Sequence, residues 1–380
     1  MDFEFSDEQR QLREAVEGFA SKEYSFEHLR AIKRSGAGWD PAVWRGLAEL
    51  GVTALYVPAA LGGLGYEPAE TLALMDACGP SLFLEPILTS AVIATVLLSR
   101  FQGGAAADET LRALGRGEEI AALAHFEPRS RFEVRWVETR AERSGEGFGL
   151  RGQKAVVAHA GLADTLIVSA RTAGRQSEAA GISLFLVPRE TPGLKLIDYL
   201  TFDGQRAADV YLDGVHVPKS ALLGTEGEAL PAIEAALDVG LAALCAEAVS
   251  IMQALLRATV DYLNTRRQFG QPIGRFQALQ HRVADMTVHL EQARSMSYLA
   301  AARCAVADLE ERRRVLSAAK VVIAEAARFI GQQAVQLHGG MGMTDELKVS
   351  HWFKRLTAIE ILLGDGDFHL QRFAASMTWA

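Results

Sequence analysis

Between Leu237 and Arg266, and again between Gln277 and Phe329, the chain runs without a proline through sequence rich in Ala and Leu. Proline inside a helix removes a hydrogen bond and clashes with the preceding turn, so these runs predict helices of many turns. Their apolar faces need partners, and a helix bundle buries several such faces at once. Upstream the pattern changes. From about Glu118 to Gly224, short apolar runs (IAALAHF, GFGLRG, AVVAHA, TLIVSART, ISLFLVP, LKLIDYL, DVYLDGV) alternate with Gly, Asp and Pro turns. That is the spacing of antiparallel strands in a small barrel or sandwich. Before Glu118 the chain reads as helices again. Ser6 followed by Gln9 suits a capping box, and Leu12, Val16 and Phe19 then share one helical face. The turn-rich stretch GVTALYVPAALGGLGYEP interrupts this block from Gly51 to Pro68. The expected class is α+β, in the order helices (1–117), β domain (118–226), helices (227–380).

Bulk properties exclude several functions. The formal net charge of −8 and a pI near 5.7 give no basic stripe of the kind nucleic acid requires. Cys78, Cys245 and Cys304 lack metal-type spacing and sit in apolar surroundings, the setting of inert buried thiols. MDFEFSDEQRQL is acidic and lacks the layout of a secretory leader. No uninterrupted apolar run reaches about 18 residues, so no membrane span is expected. These features predict a soluble, cytoplasmic protein without repeats or low-complexity tracts.

Three stretches carry candidate chemistry. NTRRQFGQPIG (264–274) follows a long helix. Arg266 and Arg267 suit the negative end of the helix dipole, and Arg266 equally suits a phosphate, which a guanidinium fork grips well. Gln336-Leu-His-Gly-Gly340 also ends a helix; its glycines fit either a C-cap or a close ligand approach. His338 by itself reads as a packed or hydrogen-bonded histidine. AIEILLGDGDFHLQR (358–372) places Asp365, Asp367 and His369 in one loop. A cation cage needs more oxygen ligands than this, and aspartates flanked by glycine are ordinary turn chemistry, so no metal is expected.

RRQFGQPIGRFQALQHRVADM (266–286) and AVQLHGGMGMTDE (334–346), with YVPAALGGLGYEP (56–68) and DGVHVPKSALLG (213–224), resemble the acyl-CoA dehydrogenase family over the whole chain. The resemblance implies an N-terminal helical domain, a middle β domain and a C-terminal four-helix bundle. It also implies FAD, an acyl-CoA substrate, assembly into dimers or tetramers, and electron transfer to an electron-transferring flavoprotein. In the family a carboxylate removes the α proton of the thioester while the β hydrogen leaves as hydride to the flavin. Arg266, Gln268, Phe269, Ile273, Phe276, Gln336, Gly339 and Gly340 match the motifs that reach over to hold the pyrophosphate and adenosine of a neighbouring subunit's FAD.

The chain departs from the family where that chemistry is done. Counting forward from Gly339-Gly340, the family's Glu-Gly-Thr base position falls on Leu363. Counting back from Gln371-Arg372, it falls on Asp365. The alternative base site on the first bundle helix falls at Gly240, and Leu241 stands where an arginine often sits. Phe126-Glu-Pro-Arg-Ser-Arg-Phe132 replaces Thr-Glu-Pro and its small-residue Ala-Gly-Ser-Asp loop. Val156-Val157-Ala158 replaces the Trp-Ile-Thr strand that covers the flavin, without its ring or hydroxyl. Similar losses mark the small subunits of pimeloyl-CoA and steroid side-chain acyl-CoA dehydrogenases, and GGMGMTDELKVSHWFKRL (339–356) looks most like them. The resemblance therefore implies a flavin-lending subunit of an α2β2 enzyme with a paralogous partner. The alternatives are a self-sufficient homo-oligomer using a displaced Asp365 or Asp367, and a non-catalytic acyl-CoA-binding scaffold.

Overall fold

A computed structural model describes residues 6–377; the first five residues of MDFEFSDEQRQL, read above as lacking a leader layout, lie outside them. The chain divides into two compact units. One contains Met1–Arg30, Pro68–Phe83 and Leu241–Ala380, the other Ala31–Glu67 and Leu84–Gly240.

The first unit is helical. Helix α1 (Asp7–Glu23) opens with the expected capping box, the Ser6 hydroxyl accepting from the Gln9 amide at 3.1 Å and the Gln9 side chain accepting from the Ser6 amide at 2.9 Å. Val16 and Ala20 form its buried face. Helix α2 (Phe26–Ser35) begins in this unit and ends in the second, which holds α3 (Pro41–Glu49), and α4 (Thr71–Cys78) belongs to the first again. The Ser250 hydroxyl donates to the Met75 carbonyl at 3.1 Å, and a side chain at Gly79 would collide with that hydroxyl.

In the second unit a π-helix, Ile87–Ala94, runs into α5 (Thr95–Ser99), with α6 (Ala105–Gly115) beyond. Nothing in the sequence pattern signals the π turns. Glu85, just before them, is 3% exposed. One of its oxygens accepts the Asp40 amide at 3.0 Å and the other has no partner. Burial pushes this carboxyl up to about 7.

The strands are β1 (Ala121–Ala124), β2 (Arg140–Ser144), β3 (Gly147–Ala158), β4 (Thr165–Arg171), β5 (Ile182–Pro188), β6 (Leu194–Leu200), β7 (Arg206–Pro218) and β8 (Leu222–Leu223). They form one sheet in the order β6-β7-β3-β2-β4-β5-β8, with β1 beside β4. Pairing is mostly antiparallel, as expected, but β1 pairs β4 in parallel, and β2 meets β4 in parallel at Arg140 and Arg171. Leu166 to Arg171 are all buried, which is why β4 reads as a continuous apolar run rather than an alternating one.

The bundle helices are α7 (Leu230–Thr265), α8 (Gln277–Arg303), α9 (Leu309–His338), α10 (Lys348–Ile361) and α11 (Gly366–Ala375). The Pro-free run from Gln277 is not one helix. It breaks after Arg303 and restarts where the Asp308 carboxylate accepts the Glu310 and Glu311 amides at 3.0 and 3.1 Å. Helix α7 has an 18-residue window of mean hydropathy 1.8, long and apolar enough to cross a membrane; 83% of that window is buried inside the protein, as in a core helix. A bidentate ion pair, Arg355 to Glu247 at 2.6 and 2.8 Å, ties α10 to α7.

Candidate functional site: an open phosphate grip and a closed base loop

Helix α7 ends in a small hairpin. The Arg266 amide donates to the Tyr262 carbonyl at 2.8 Å, and the Arg266 carbonyl accepts from Ile273 at 2.9 Å. Between them β9 (Arg267–Gln268) pairs with β10 (Gln271–Pro272). The two linking residues, Phe269 and Gly270, both have positive φ, 52° and 78°, as a type I′ turn requires. Gly270 takes this conformation freely, whereas Phe269 is forced into it and stands 90% exposed. Its ring meets Phe276 edge to face at 6.1 Å, while Gln268 folds back to the Arg267 carbonyl at 2.9 Å. The Arg266 guanidinium is exposed and has no partner among the described residues.

Helix α9 ends alongside. The Gly339 amide caps the helix on the Gln336 carbonyl, so the C-cap reading of the glycine pair is correct. The ligand reading is compatible with it: side chains added at Gly339 or Gly340 would meet nothing within 4 Å. Gln336 is exposed. The two ends are brought together by the Tyr262 and His338 rings, stacked at 4.5 Å and 27°. His338 donates from Nδ1 to the Ala334 carbonyl at 2.8 Å, and burial keeps its pKa below the usual imidazole range. A free guanidinium beside open glycine backbone fits the diphosphate of a dinucleotide.

The loop after α10 is closed. The buried Lys320 ammonium donates to the carbonyls of Ile359 at 2.5 Å and Leu362 at 2.7 Å, satisfying the end of α10. Burial lowers Lys320 to about 8. Leu363 has φ 58°, and its carbonyl accepts from His369 Nε2 at 3.0 Å while the Ser317 hydroxyl contacts Nδ1 at 3.3 Å. His369 is fully buried, which brings it down to about 4 and keeps it neutral. Asp365 caps α11 by accepting the Phe368 amide at 2.8 Å, and Asp367 lies exposed in the first turn of α11. The two aspartates are therefore turn and cap residues. Leu363 carries no group that can move a proton, and neither does Gly240, buried within α7. Among the described residues no three His, Cys, Asp or Glu side chains gather to hold a metal.

In the β domain, strand β3 bulges between Lys154 and Val157 against β7. Val156 sits in the bulge at φ 51°, 59% exposed, with its amide donated to an Asp209 oxygen at 3.0 Å. Beneath it lies a buried polar cluster that the sequence reading did not single out. Lys154 donates to Glu127 at 2.7 Å, to Ser169 at 3.0 Å and to the His125 carbonyl at 3.1 Å. Burial lowers Lys154 to about 8. Burial also pushes Glu127 up, but the Lys154 charge and hydrogen bonds outweigh it and hold the carboxyl below its usual range. Arg129 and Arg131 are exposed, and Arg131 takes φ 47°. Lys320 carried one legible signal, a lone lysine inside an otherwise apolar run, whereas Lys154 follows Arg151 and Gln153 and carried none.

Helical N-terminal, β middle and helical C-terminal regions in this order define the three-domain flavoprotein class of acyl-CoA oxidation. Residues 6–115, 122–215 and 229–378 match the acyl-CoA dehydrogenase N-terminal, middle and C-terminal domains. The probable acyl-CoA dehydrogenase YngJ of Bacillus subtilis is 29% identical over 381 residues, covering 98% of this chain and 98% of that protein. A variant of the Tcur3481-Tcur3483 steroid ACAD has a TM-score of 0.86 at 27% identity, covering 97% of each chain. The ChsE4-ChsE5 complex from Mycobacterium tuberculosis has a TM-score of 0.88 at 25% identity, covering 100% of each. The chain belongs to the acyl-CoA dehydrogenase family, whose members oxidise acyl-CoA with FAD.

Proposed function

We propose that the chain is the cofactor-supporting subunit of a heteromeric acyl-CoA dehydrogenase. In this reading it lends its pyrophosphate and adenosine contacts to a paralogous partner that carries the base. The observation that carries the reading is the contrast within one bundle. The Arg266 side chain is exposed and the space beside Gly339 and Gly340 is open, while the base positions hold Leu363 and Gly240. The two solved relatives named above carry paired names, Tcur3481-Tcur3483 and ChsE4-ChsE5, which supports an assembly of this kind.

In such a complex Arg266 would hold a phosphate by charge-assisted hydrogen bonds, and Gly339 and Gly340 would admit the cofactor's close approach. Gln268, Phe269, Ile273, Phe276 and Gln336 would line the adenosine side. FAD, when bound, supplies the acceptor for the hydride leaving the acyl β carbon. The Val156 amide is already engaged by Asp209, and Val156 and Ala158 have no ring or hydroxyl, so the flavin-ring contacts fall to the partner. An electron-transferring flavoprotein is the proposed electron acceptor, and the cytoplasm the proposed location.

The test is the flavin-to-chain ratio of the complex purified with its partner. About one FAD per two chains, with Arg266→Ala weakening FAD by about 10- to 100-fold, is expected from losing a hydrogen bond to a charged group. Stoichiometric FAD and acyl-CoA desaturation by this chain alone would refute the assignment. The displaced-base alternative is disfavoured because Asp365 already caps α11.

A further inference from the structure

We infer that the Tyr262–His338 stack is a positioning device, fixing the Arg266 hairpin against the Gly339–Gly340 loop so that both halves of the phosphate grip keep one geometry. The inference rests on the cofactor-supporting reading. Each ring sits at the root of one half. Tyr262 occupies the last turn of α7, and its carbonyl takes the Arg266 amide at 2.8 Å and the Thr265 hydroxyl at 3.2 Å. The hairpin's return is pressed onto the same turn: a side chain at Gly274 would come within 3.1 Å of the Leu263 carbonyl. The orientation of Tyr262 is thus coupled to the backbone that carries Arg266.

On the other side His338 is the final residue of α9, held by Nδ1 to Ala334. The loop after it folds back over that turn, because a side chain at Gly342 would lie 2.7 Å from the Val335 carbonyl and 3.1 Å from His338 Cβ. With rings 4.5 Å apart and 27° from parallel, a shift of either helix end is resisted by the loss of stacking. Arg266 and Gln336 are exposed, and their side chains make no anchoring bonds among the described residues. Their mutual placement comes from the turns beneath them, and the stack is a contact that joins those turns. This is a role through other residues and not a catalytic one.

The full chain, purified with any partner that accompanies it, is stripped of flavin and titrated with FAD by flavin fluorescence. Tyr262→Leu and His338→Leu fill the space without a ring pair. Each is expected to raise the FAD dissociation constant about fivefold, the scale of one aromatic pair. Tyr262→Phe keeps the stack and is expected to bind as wild type does, which excludes a role for the hydroxyl. Should the leucine variants not fold, Tyr262→Gln and His338→Gln replace them with the same expected rise. Unchanged FAD affinity in the ring-deleting variants, alongside a loss in Arg266→Ala, overturns the inference and leaves the cofactor-supporting reading standing. Unchanged affinity in Arg266→Ala as well refutes that reading, and this inference with it.

Discussion

Glu85 makes the protein's stability depend on pH in a direction opposite to that of most carboxylates. The side chain is 3% exposed, with one oxygen on the Asp40 amide and the other unpartnered. Its folded pKa of about 7 lies above the ordinary 4.5 because burial penalises the charged form. The unfolded chain therefore releases the proton first as pH rises. Stability from this site is whole below the unfolded value and is lost as pH climbs through the folded one. At about 1.4 kcal/mol for each pH unit between the two values, roughly 2.5 kcal/mol should disappear between about pH 5 and about pH 8. Glu85→Gln cannot ionise, so urea unfolding of wild type and variant at the two pH values isolates the contribution. The amide brings its own cost, an unpaired buried N–H of about 1–3 kcal/mol, but that cost is the same at both pH values and cancels in the difference. Parallel stabilities of the two proteins across this range would show that the carboxyl is solvated in solution and that the reasoning is wrong.

Other perturbations address the closed loop and the buried ion pairs. Lys154→Met leaves Glu127 charged and unpaired, and should cost about 3–5 kcal/mol of unfolding free energy; adding Glu127→Gln should recover part of it. Gly364→Ala places a methyl group 2.5 Å from His369 Nε2 at φ 112°, and should lower stability by about 1–3 kcal/mol by denaturant unfolding. Asp365→Asn should preserve both the α11 cap and any turnover of the complex, whereas Asp365→Ala should cost about 1 kcal/mol of stability with turnover unchanged. A collapse of turnover in Asp365→Asn would revive the displaced-base alternative.

The architecture was legible where sequence has one dominant physical message. Pro-free Ala/Leu runs meant long helices, and Ser6 with Gln9 marked a real cap. The break at Cys304–Asp308 was not legible, because Ala305, Val306 and Ala307 continue a helical composition and only the Asp308 carboxylate, acting on amides, restarts the helix. Parallel pairing of β1 with β4 was hidden for a similar reason: an apolar run records burial, not the direction of its neighbour. At the site, the motif around Arg266 pointed to phosphate. The stacking of Tyr262 on His338 could not be read, since a contact between distant helix ends leaves no local pattern. His369 shows the converse. Its neighbours suggested a metal question, which the Ser317 hydroxyl and the Leu363 carbonyl answer by occupying both ring nitrogens.

The bulge at Val156 separates the shape of a strand from the identity of its side chains. Its left-handed turn lies in the shift of register against β7, and Asp209 holds it by accepting the backbone amide. None of these contacts uses an atom of the Val156 side chain, which projects into the open at 59% exposure. The position is thus a socket whose fitting can be exchanged without rebuilding the wall. Grafting an aromatic ring at 156 and a hydroxyl at 158 is a two-residue edit on a finished scaffold, and makes the chain a starting point for engineering a flavin-binding surface into a β domain.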